Sequence, residues 1–221
     1  MIMDKKKLYK AYSILEEYGV LPRISVIFGV YRPLDKEQFA AQMIANEEWI
    51  KKIVVFIDMD NTLFRFSYGK SDDIDAIERM LDVGFFRNLE PMQNIKIYEA
   101  LQLIGVSVYI LSACPPSAPH CRQDKKDALK EHMPFIKNSQ ILFCNNGESK
   151  AEFARKKVHL ESLEGVFLID DWKGNLNAWQ AAGGFPIKKA MSFKMRPYPT
   201  LIDHRDAVDM ILSLAKNAKN N

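Results

Sequence analysis

The sequence predicts a three-layer α/β fold in which right-handed crossovers connect the strands of a parallel sheet. Residues 53–57 form an uninterrupted apolar run, IVVFI, which is typical of a strand buried on both faces of such a sheet. Short apolar runs then alternate with helical patterns along the chain, and no low-complexity tract or interdomain linker interrupts them. We therefore expect one core domain over residues 51–221, preceded by an extension over residues 1–50.

Length and composition are those of an ordinary globular protein. The chain has 221 residues, of which 48% are hydrophobic and 27% charged, and its net charge is +3. Because the Lys and Arg residues are dispersed, we expect no nucleic-acid partner. Three cysteines without a CxxC pair indicate reduced thiols, and no apolar run reaches the roughly 18 residues of a membrane span. We expect a cytoplasmic protein without a membrane partner.

Residues 1–50 are predicted to form a helical extension in front of the sheet. A first helix ends at Gly19 and has an apolar face made of Leu8, Ala11, Tyr12 and Leu15. A second helix is predicted over residues 34–50, with Asp35 and Gln38 as its capping box. Residues 24–31 fit either a strand or packed coil. We expect the extension to cover part of the core or to make a homodimer contact.

Residues 65–105 return the chain from the first strand and are longer than a usual crossover, which predicts a small helical cap insertion. Helical spacing over residues 72–81 is followed by a non-helical link from Gly84 to Pro91 and a helix over residues 95–104. Such an insertion can form a lid or a specificity wall. It is rich in aromatic residues, namely Phe64, Phe66, Tyr68, Phe85 and Phe86.

The remaining chain continues the alternation. Strands are predicted over residues 106–111, 140–144, 166–169 and 185–189, and helices over residues 122–133, 175–182 and 205–215. The helix over residues 122–133 is expected to carry Lys125, Lys126 and Lys130 on its surface. Asp203 is expected to cap the last helix, and Trp172 and Trp179 to pack against it.

Unusual polar residues stand at the strand ends, where ligands bind in open α/β sheets. They are Asp58 with Asp60, Ser112, Lys150, and Asp170 with Asp171. Close carboxylates repel each other and stay ionised together only when a cation or a shared proton compensates, which predicts a divalent metal. A lysine and a hydroxyl beside them would suit the remaining oxygens of a phosphate.

Each of these residues also has an alternative interpretation. The capping-box pattern from Ser149 to Glu152 places Lys150 in the first turn of a helix, where it either faces an anion or points into water. Ser112 could simply start a turn. Of the paired acids, we expect Asp170 to be the metal ligand and Asp171 to cap the next helix or to lie behind the ligands.

Four motifs in this order resemble those of the haloacid dehalogenase superfamily of phosphohydrolases. They are FIDMDNTL, the strand that ends at Ser112, Lys150, and LIDD. Within that superfamily the chain is similar to the cytosolic type C 5′-nucleotidases, also called 5′(3′)-deoxyribonucleotidases, and their bacterial and phage relatives, through GFFRNLEPM, SKAEF and LIDDWKGNLNAWQAAGG. It departs from them at Asn61-Thr62, where Gly-Val is common. The resemblance covers about residues 53–189 and implies a Rossmann-like fold.

The resemblance also implies a mechanism. Asp58 would attack phosphorus to form an aspartyl-phosphate, and Asp60 would act as general acid and then as general base. Mg²⁺ would be held by the Asp58 carboxylate, the Asp60 backbone carbonyl and Asp170. Ser112 and Lys150 would neutralise the phosphate oxygens, and the Thr62 hydroxyl would fix the tight turn.

The expected substrate is a small phosphoester, most specifically a nucleoside monophosphate. Phe85 and Phe86 are candidates for stacking on its base, although such a pair can equally be core packing. Cys114 is expected to be a packing residue, because no neighbour in the sequence would lower its pKa. One alternative is a phosphatase for a sugar phosphate or another small phosphoester, in which the insertion excludes bases. The other is a catalytically silent phosphate-binding protein.

Overall fold

The computed structural model describes residues 3–66, 78–191 and 197–219, which form a parallel sheet between layers of helices. The strands are β1 (Val54–Ile57), β2 (Ser107–Cys114), β3 (Ile141–Asn145), β4 (Val166–Asp170), β5 (Phe185–Lys189) and β6 (Thr200–Leu201). Their order is β3-β2-β1-β4-β5-β6, and each neighbouring pair is parallel. The predicted fold class is confirmed. The short strand β6 is an addition that the apolar pattern did not indicate.

Strand β1 lies between β2 and β4, at the point where the strand order reverses direction. In open α/β sheets this switch point leaves a crevice outside the carboxyl ends of the strands. Pairing with β4 continues one residue beyond β1, since the backbone N–H of Asp58 donates to the carbonyl of Ile169 at 2.9 Å. The sheet therefore fixes the backbone of Asp58 at the edge of the crevice.

The helices are α1 (Lys5–Glu17), α2 (Leu21–Ile27), α3 (Lys36–Ala45), α4 (Glu47–Ile50), α5 (Ile97–Leu103), α6 (Cys121–His132), α7 (Lys150–Val158), α8 (Lys173–Ala181) and α9 (Ala207–Lys219). The helix predicted over residues 34–50 is divided at Asn46 into α3 and α4, and its capping box is present. The first half of the undecided segment 24–31, up to Ile27, is helical in α2, and the second half is not. The helix predicted over residues 72–81 falls largely outside the described residues; within them, Glu78 and Arg79 are helical.

Two apolar clusters cover the two faces of the sheet. Val55 and Ile57 belong to the cluster shared with α1, α2, α3, α5, α6 and α9, whereas Phe56 belongs to the cluster shared with α7 and α8. This alternation along β1 follows from the two-residue period of a strand. Trp179 fills the second cluster, where its indole N–H donates to the carbonyl of Val166 at 3.0 Å. Together the clusters and the sheet make the three predicted layers.

The amino-terminal helices are part of the first apolar cluster. Leu8, Ala11 and Leu15 on α1 are fully buried, and α1 packs against α3 and α5. Covering the core is therefore the role that residues 3–50 have in the structure, while a homodimer contact stays a prediction. None of the helices in the described parts of the chain combines the length and the apolar character needed to cross a bilayer.

We expect Leu15→Ala to lower the free energy of unfolding by about 2–5 kcal/mol, because it removes buried methyl groups and leaves a cavity between α1 and the rest of the core. Denaturant titration would measure this change. Glu17→Ala, at an exposed position on the same helix, is the control and should stay within about 0.5 kcal/mol. Equal effects of the two substitutions would show that α1 is not part of the core.

Candidate active site

The candidate site is a cleft of about 720 Å³ at the carboxyl ends of the central strands. Asp58 and Asp60 follow β1 and reach it from the middle of the sheet. Lys150, the first residue of α7, and Asp171, the residue after β4, reach it from the two sides. Asp58 and Asp170, which are 92 and 20 positions from Lys150 in the sequence, thus meet it at one edge of the sheet.

Lys150 bridges two carboxylates inside the cleft. Its Nζ donates to Asp58 Oδ1 and to Asp170 Oδ2, both at 2.7 Å, and all three side chains are buried. Burial alone would lower the pKa of Lys150, but the charges of Asp58 and Asp170 outweigh it and raise that pKa. Of the two alternatives for Lys150, the side chain facing water is excluded. Ser149 caps α7 through Glu152 N–H and so directs Lys150 inward.

Asp170 is held from several sides. Its Oδ1 accepts from the backbone N–H of Trp172 at 2.8 Å, and its Oδ2 accepts from Asn175 Nδ2 at 2.8 Å in addition to Lys150. Of the two alternatives for Asp171, capping of the next helix is excluded, because the N-cap of α8 is Trp172 and no side chain caps it. Asp170 instead ties the start of α8 to the site. Asp171 is half-buried and lies on the cleft wall.

Asp58, Asp170 and Asp171 each offer a carboxylate oxygen, and in the described part of the chain these three oxygens lie within 4.8 Å of one another. Burial, together with the charges of Asp58 and Asp170, raises the pKa of Asp171 to about 7. Lys188 and Lys150 lower the pKa of Asp171 and so oppose part of this rise. Oxygen ligands grouped in this way suit a hard divalent cation such as Mg²⁺.

A second buried lysine, Lys125 on α6, organises the other half of the site. Its Nζ donates to Asp60 Oδ2 at 2.6 Å, to Ser112 Oγ at 2.9 Å and to the carbonyl of Ala113 at 2.9 Å. The prediction that Lys125 lies on the helix surface is wrong, since its side chain is fully buried. Burial lowers its pKa, but the Asp60 charge more than compensates and the pKa is raised.

Asp60 therefore faces Lys125 rather than Lys150. Burial and the Asp58 charge raise the pKa of Asp60, while Lys125 opposes that rise. The second oxygen, Oδ1, is buried and has no hydrogen-bond partner among the described residues. Ser112 is also fully buried and reaches Asp60 only through Lys125, so the structure joins the two predicted residues through a lysine that the sequence pattern did not single out.

The two phenylalanines of the insertion do not line the cleft. Phe86 is buried and stacks on Phe66, with ring centroids 5.9 Å apart, and Phe85 meets both rings edge-on. The Lys125 ammonium lies 4.9 Å from the centroid of the Phe86 ring. The core-packing alternative for this pair is the one that the structure supports, and stacking of Phe86 on a base is contradicted by its burial.

The tight turn after β1 is held by other groups than predicted. Asn61 has a positive φ of 52°, and its Oδ1 accepts from the backbone N–H of Phe66 at 3.1 Å. The Thr62 hydroxyl is buried and has no hydrogen-bond partner within the described ranges, so its predicted role in the turn is wrong. The Thr62 carbonyl accepts from His204 Nε2 at 2.9 Å, and His204 Nδ1 accepts from the Tyr98 hydroxyl at 2.8 Å.

Cys114 and Cys121 lie beside Lys125 as a hydrogen-bonded pair of free thiols. Cys121 Sγ donates to Cys114 Sγ, 2.9 Å away, and both residues are buried. This hydrogen bond lowers the pKa of Cys114 in spite of burial, and Lys125 acts in the same direction. The groups that lower the pKa of Cys114 are therefore brought to it by the fold, and its neighbours in the sequence do not reveal them. The packing role predicted for Cys114 agrees with its burial.

Trp172 does not pack against the last helix, contrary to the prediction. It is 65% exposed and lies on the cleft wall. Trp179 is fully buried, but it packs in the cluster with α7 and α8 and not in the cluster of the last helix, so the prediction is wrong for both residues. A Cβ atom added at Gly174 would lie 3.0 Å from Cζ2 and Cη2 of the indole, so the ring rests over the first turn of α8 where Gly174 leaves room. The cleft thus has an exposed aromatic residue after β4, whereas the candidates that the sequence offered for contact with a base were Phe85 and Phe86.

No protein-family model matches the sequence, and no curated protein matches it. Among solved structures, the chain is similar to a haloacid dehalogenase-like family hydrolase from Xanthomonas campestris, with a TM-score of 0.47 and 13% sequence identity. The match covers 74% of this chain and 93% of that chain. Similarity at this level does not assign a family or an activity, so the functional conclusion rests on the site geometry.

We expect His204 to make stability pH-dependent. Burial and the Lys189 charge lower its pKa from 6.5 to about 4, so protonation favours the unfolded chain. This contribution is complete above pH 6.5 and is lost as the pH falls towards 4, by up to about 3 kcal/mol.

Denaturant titrations of the wild type and of His204→Gln at several pH values would test this expectation. Glutamine can keep a donor for the Thr62 carbonyl but cannot be protonated. The stability advantage of the wild type should therefore shrink between pH 6.5 and 4. An advantage that is constant over this range would rule out His204 as the titrating group.

Proposed function

We propose that the protein is a metal-dependent phosphomonoester hydrolase of the haloacid dehalogenase type, with Asp58 as the nucleophile. The single observation that carries this proposal is the bridge from Lys150 to Asp58 and Asp170 beside Asp171. It combines an ammonium group, which suits phosphate oxygens, with three carboxylates that suit a divalent cation. Asp58 directly follows the central strand β1, and its backbone is fixed by the hydrogen bond to Ile169 in β4.

The first step is attack of an Asp58 carboxylate oxygen on phosphorus. A bond forms between that oxygen and phosphorus, the bond from phosphorus to the leaving oxygen breaks, and its electron pair stays on the leaving oxygen. Lys150 is placed to neutralise the transferring group, because its Nζ already lies 2.7 Å from Asp58. Ser112 is fully buried behind the cleft wall, so its part in this scheme is to accept from Lys125 and hold that ammonium beside Asp60.

Asp60 transfers the protons. It protonates the leaving oxygen in the first step, and as a carboxylate it then accepts a proton from the water that hydrolyses the aspartyl-phosphate. The first step needs the protonated form of Asp60, which burial favours and the neighbouring Lys125 charge opposes. Lys125 is a positioning residue in this scheme, since its contact at 2.6 Å orients the Asp60 carboxylate.

The donor set fits Mg²⁺. Asp58 and either Asp170 or Asp171 would supply carboxylate oxygens, and the Asp60 backbone carbonyl is the further ligand that the family resemblance implies. When bound, the cation neutralises charge on the phosphate oxygens. Asp171 is the more open of the two acids, because it lies on the cleft wall whereas Asp170 is fully buried and engaged with Lys150, Trp172 and Asn175.

The finer proposal is that the substrate is a nucleoside monophosphate. The cleft volume of about 720 Å³ falls in the range of pockets that hold drug-sized ligands and exceeds what phosphate alone requires. An alcohol portion of considerable size can therefore be accommodated beside Asp58.

We expect Asp58→Asn to lower the rate of phosphate release by a factor on the order of 1,000 or more without unfolding the protein, because the amide cannot act as the nucleophile. Release of inorganic phosphate would be measured over nucleoside monophosphates and sugar phosphates, with and without a chelator. Asp82→Asn, at an exposed aspartate outside the cleft wall, is the matched control and should keep wild-type turnover.

Turnover that survives in Asp58→Asn would contradict the assignment of the nucleophile. Full wild-type turnover in the chelator would contradict the requirement for a metal. Release from sugar phosphates at a higher kcat/KM than from any nucleoside monophosphate would leave the reaction type intact and replace the substrate.

A further inference from the structure

Trp172 is an exposed tryptophan inside the candidate active-site cleft. Seven large hydrophobic residues are exposed in the described part of the chain, and of these Trp172 is the one that lies on the wall of the cleft with Asp58. Exposure of 65% for so large an apolar side chain is unusual, because indole rings are normally mostly buried. An exposed aromatic face beside a catalytic group is available for a ligand.

The position of Trp172 is built into the site. Its backbone N–H donates to Asp170 Oδ1 at 2.8 Å, so the residue is tied to the carboxylate that also binds Lys150. Its ring rests over Gly174, where any Cβ atom would approach two ring atoms to 3.0 Å. The backbone of this aromatic wall is therefore fixed relative to the site of phosphoryl transfer.

The cleft wall also carries a polar group that suits the edge of a flat heterocycle. Asn146 lies on the same cleft wall and is exposed, so its amide can donate and accept hydrogen bonds at the edge of a ring. The insertion offers no equivalent surface in its described residues 78–91, since the rings of Phe85 and Phe86 pack against each other and against Phe66.

From this arrangement we infer that Trp172 determines specificity by stacking on the nucleobase of a nucleoside monophosphate whose phosphate lies at Asp58. This inference rests on the proposed function and assigns the base contact to the loop after β4, not to the insertion. Stacking on an aromatic side chain tolerates every base, because each base has a π face. Trp172 should therefore distinguish nucleotides from phosphates that lack a ring system, rather than one base from another.

Binding to the catalytically inactive Asp58→Asn protein would test this inference without turnover. Isothermal titration calorimetry with Mg²⁺ present would give dissociation constants for adenosine 5′-monophosphate and for ribose 5-phosphate, which share the sugar phosphate and differ in the base. We expect the nucleotide to bind at least about tenfold more tightly. Adding Trp172→Ala should remove most of this preference, and Trp172→Phe, which keeps an aromatic ring, should restore part of it.

Trp49→Phe in the same Asp58→Asn background is the control, because Trp49 lies outside the cleft and bonds to Asn46. In that control the preference for the nucleotide should be unchanged. Binding of the nucleotide should also quench the tryptophan fluorescence of the control, and Trp172→Phe should lose this quenching.

Equal affinity for the two ligands in Asp58→Asn, or a preference that survives Trp172→Ala, would overturn the inference. Either result leaves the proposed hydrolase activity to be judged separately, by phosphate release from the wild type. If instead the wild type hydrolyses none of the phosphomonoesters but the Trp172-dependent preference is found, the proposed function fails and the nucleotide site stands.

Discussion

The interaction on which the site depends is the sharing of the Lys150 ammonium between Asp58 and Asp170. Three carboxylates converge where the strand order reverses, and buried like charges at this distance repel strongly. The Lys150 ammonium offsets part of that repulsion. The grouped carboxylate oxygens also suit a hard divalent cation. A cation bound at this edge of the sheet would therefore also reduce the carboxylate repulsion that the folded chain contains.

Lys125 connects Asp60 to the rest of the molecule. A fully buried lysine is rare unless it is paired, and here one ammonium contacts Asp60, Ser112, a backbone carbonyl and the face of Phe86. Phe86 of the insertion consequently packs against Lys125, and Lys125 in turn orients Asp60, the proposed general acid. The insertion contributes to the site through packing, and the aromatic surface that faces the cleft comes from Trp172 on the opposite side.

Sequence patterns predicted the sheet and the positions of Asp58, Ser112, Lys150 and Asp170, because uninterrupted apolar strands and the residues that follow them are local signals. They could not predict side-chain direction. Lys125 lies in a polar helix whose spacing gives no sign that one lysine is buried, and its partner Asp60 is 65 residues away. For a similar reason Trp172 was predicted to be packed, and Phe86 was left open between base stacking and core packing. An apolar ring has the same pattern in a core as on a cleft wall. The signal that could have identified Trp172 is Gly174, two residues later at the start of a helix.

The most direct test of the account is to locate the phosphoryl group on the protein during turnover. The protein would be mixed with a phosphomonoester carrying radioactive phosphate, stopped in acid within milliseconds, digested, and examined for the labelled peptide. The account predicts an acyl phosphate on Asp58, which borohydride reduction converts to homoserine at that position. Label on another residue, or hydrolysis in a pre-steady-state experiment with no phosphorylated protein formed, would contradict it.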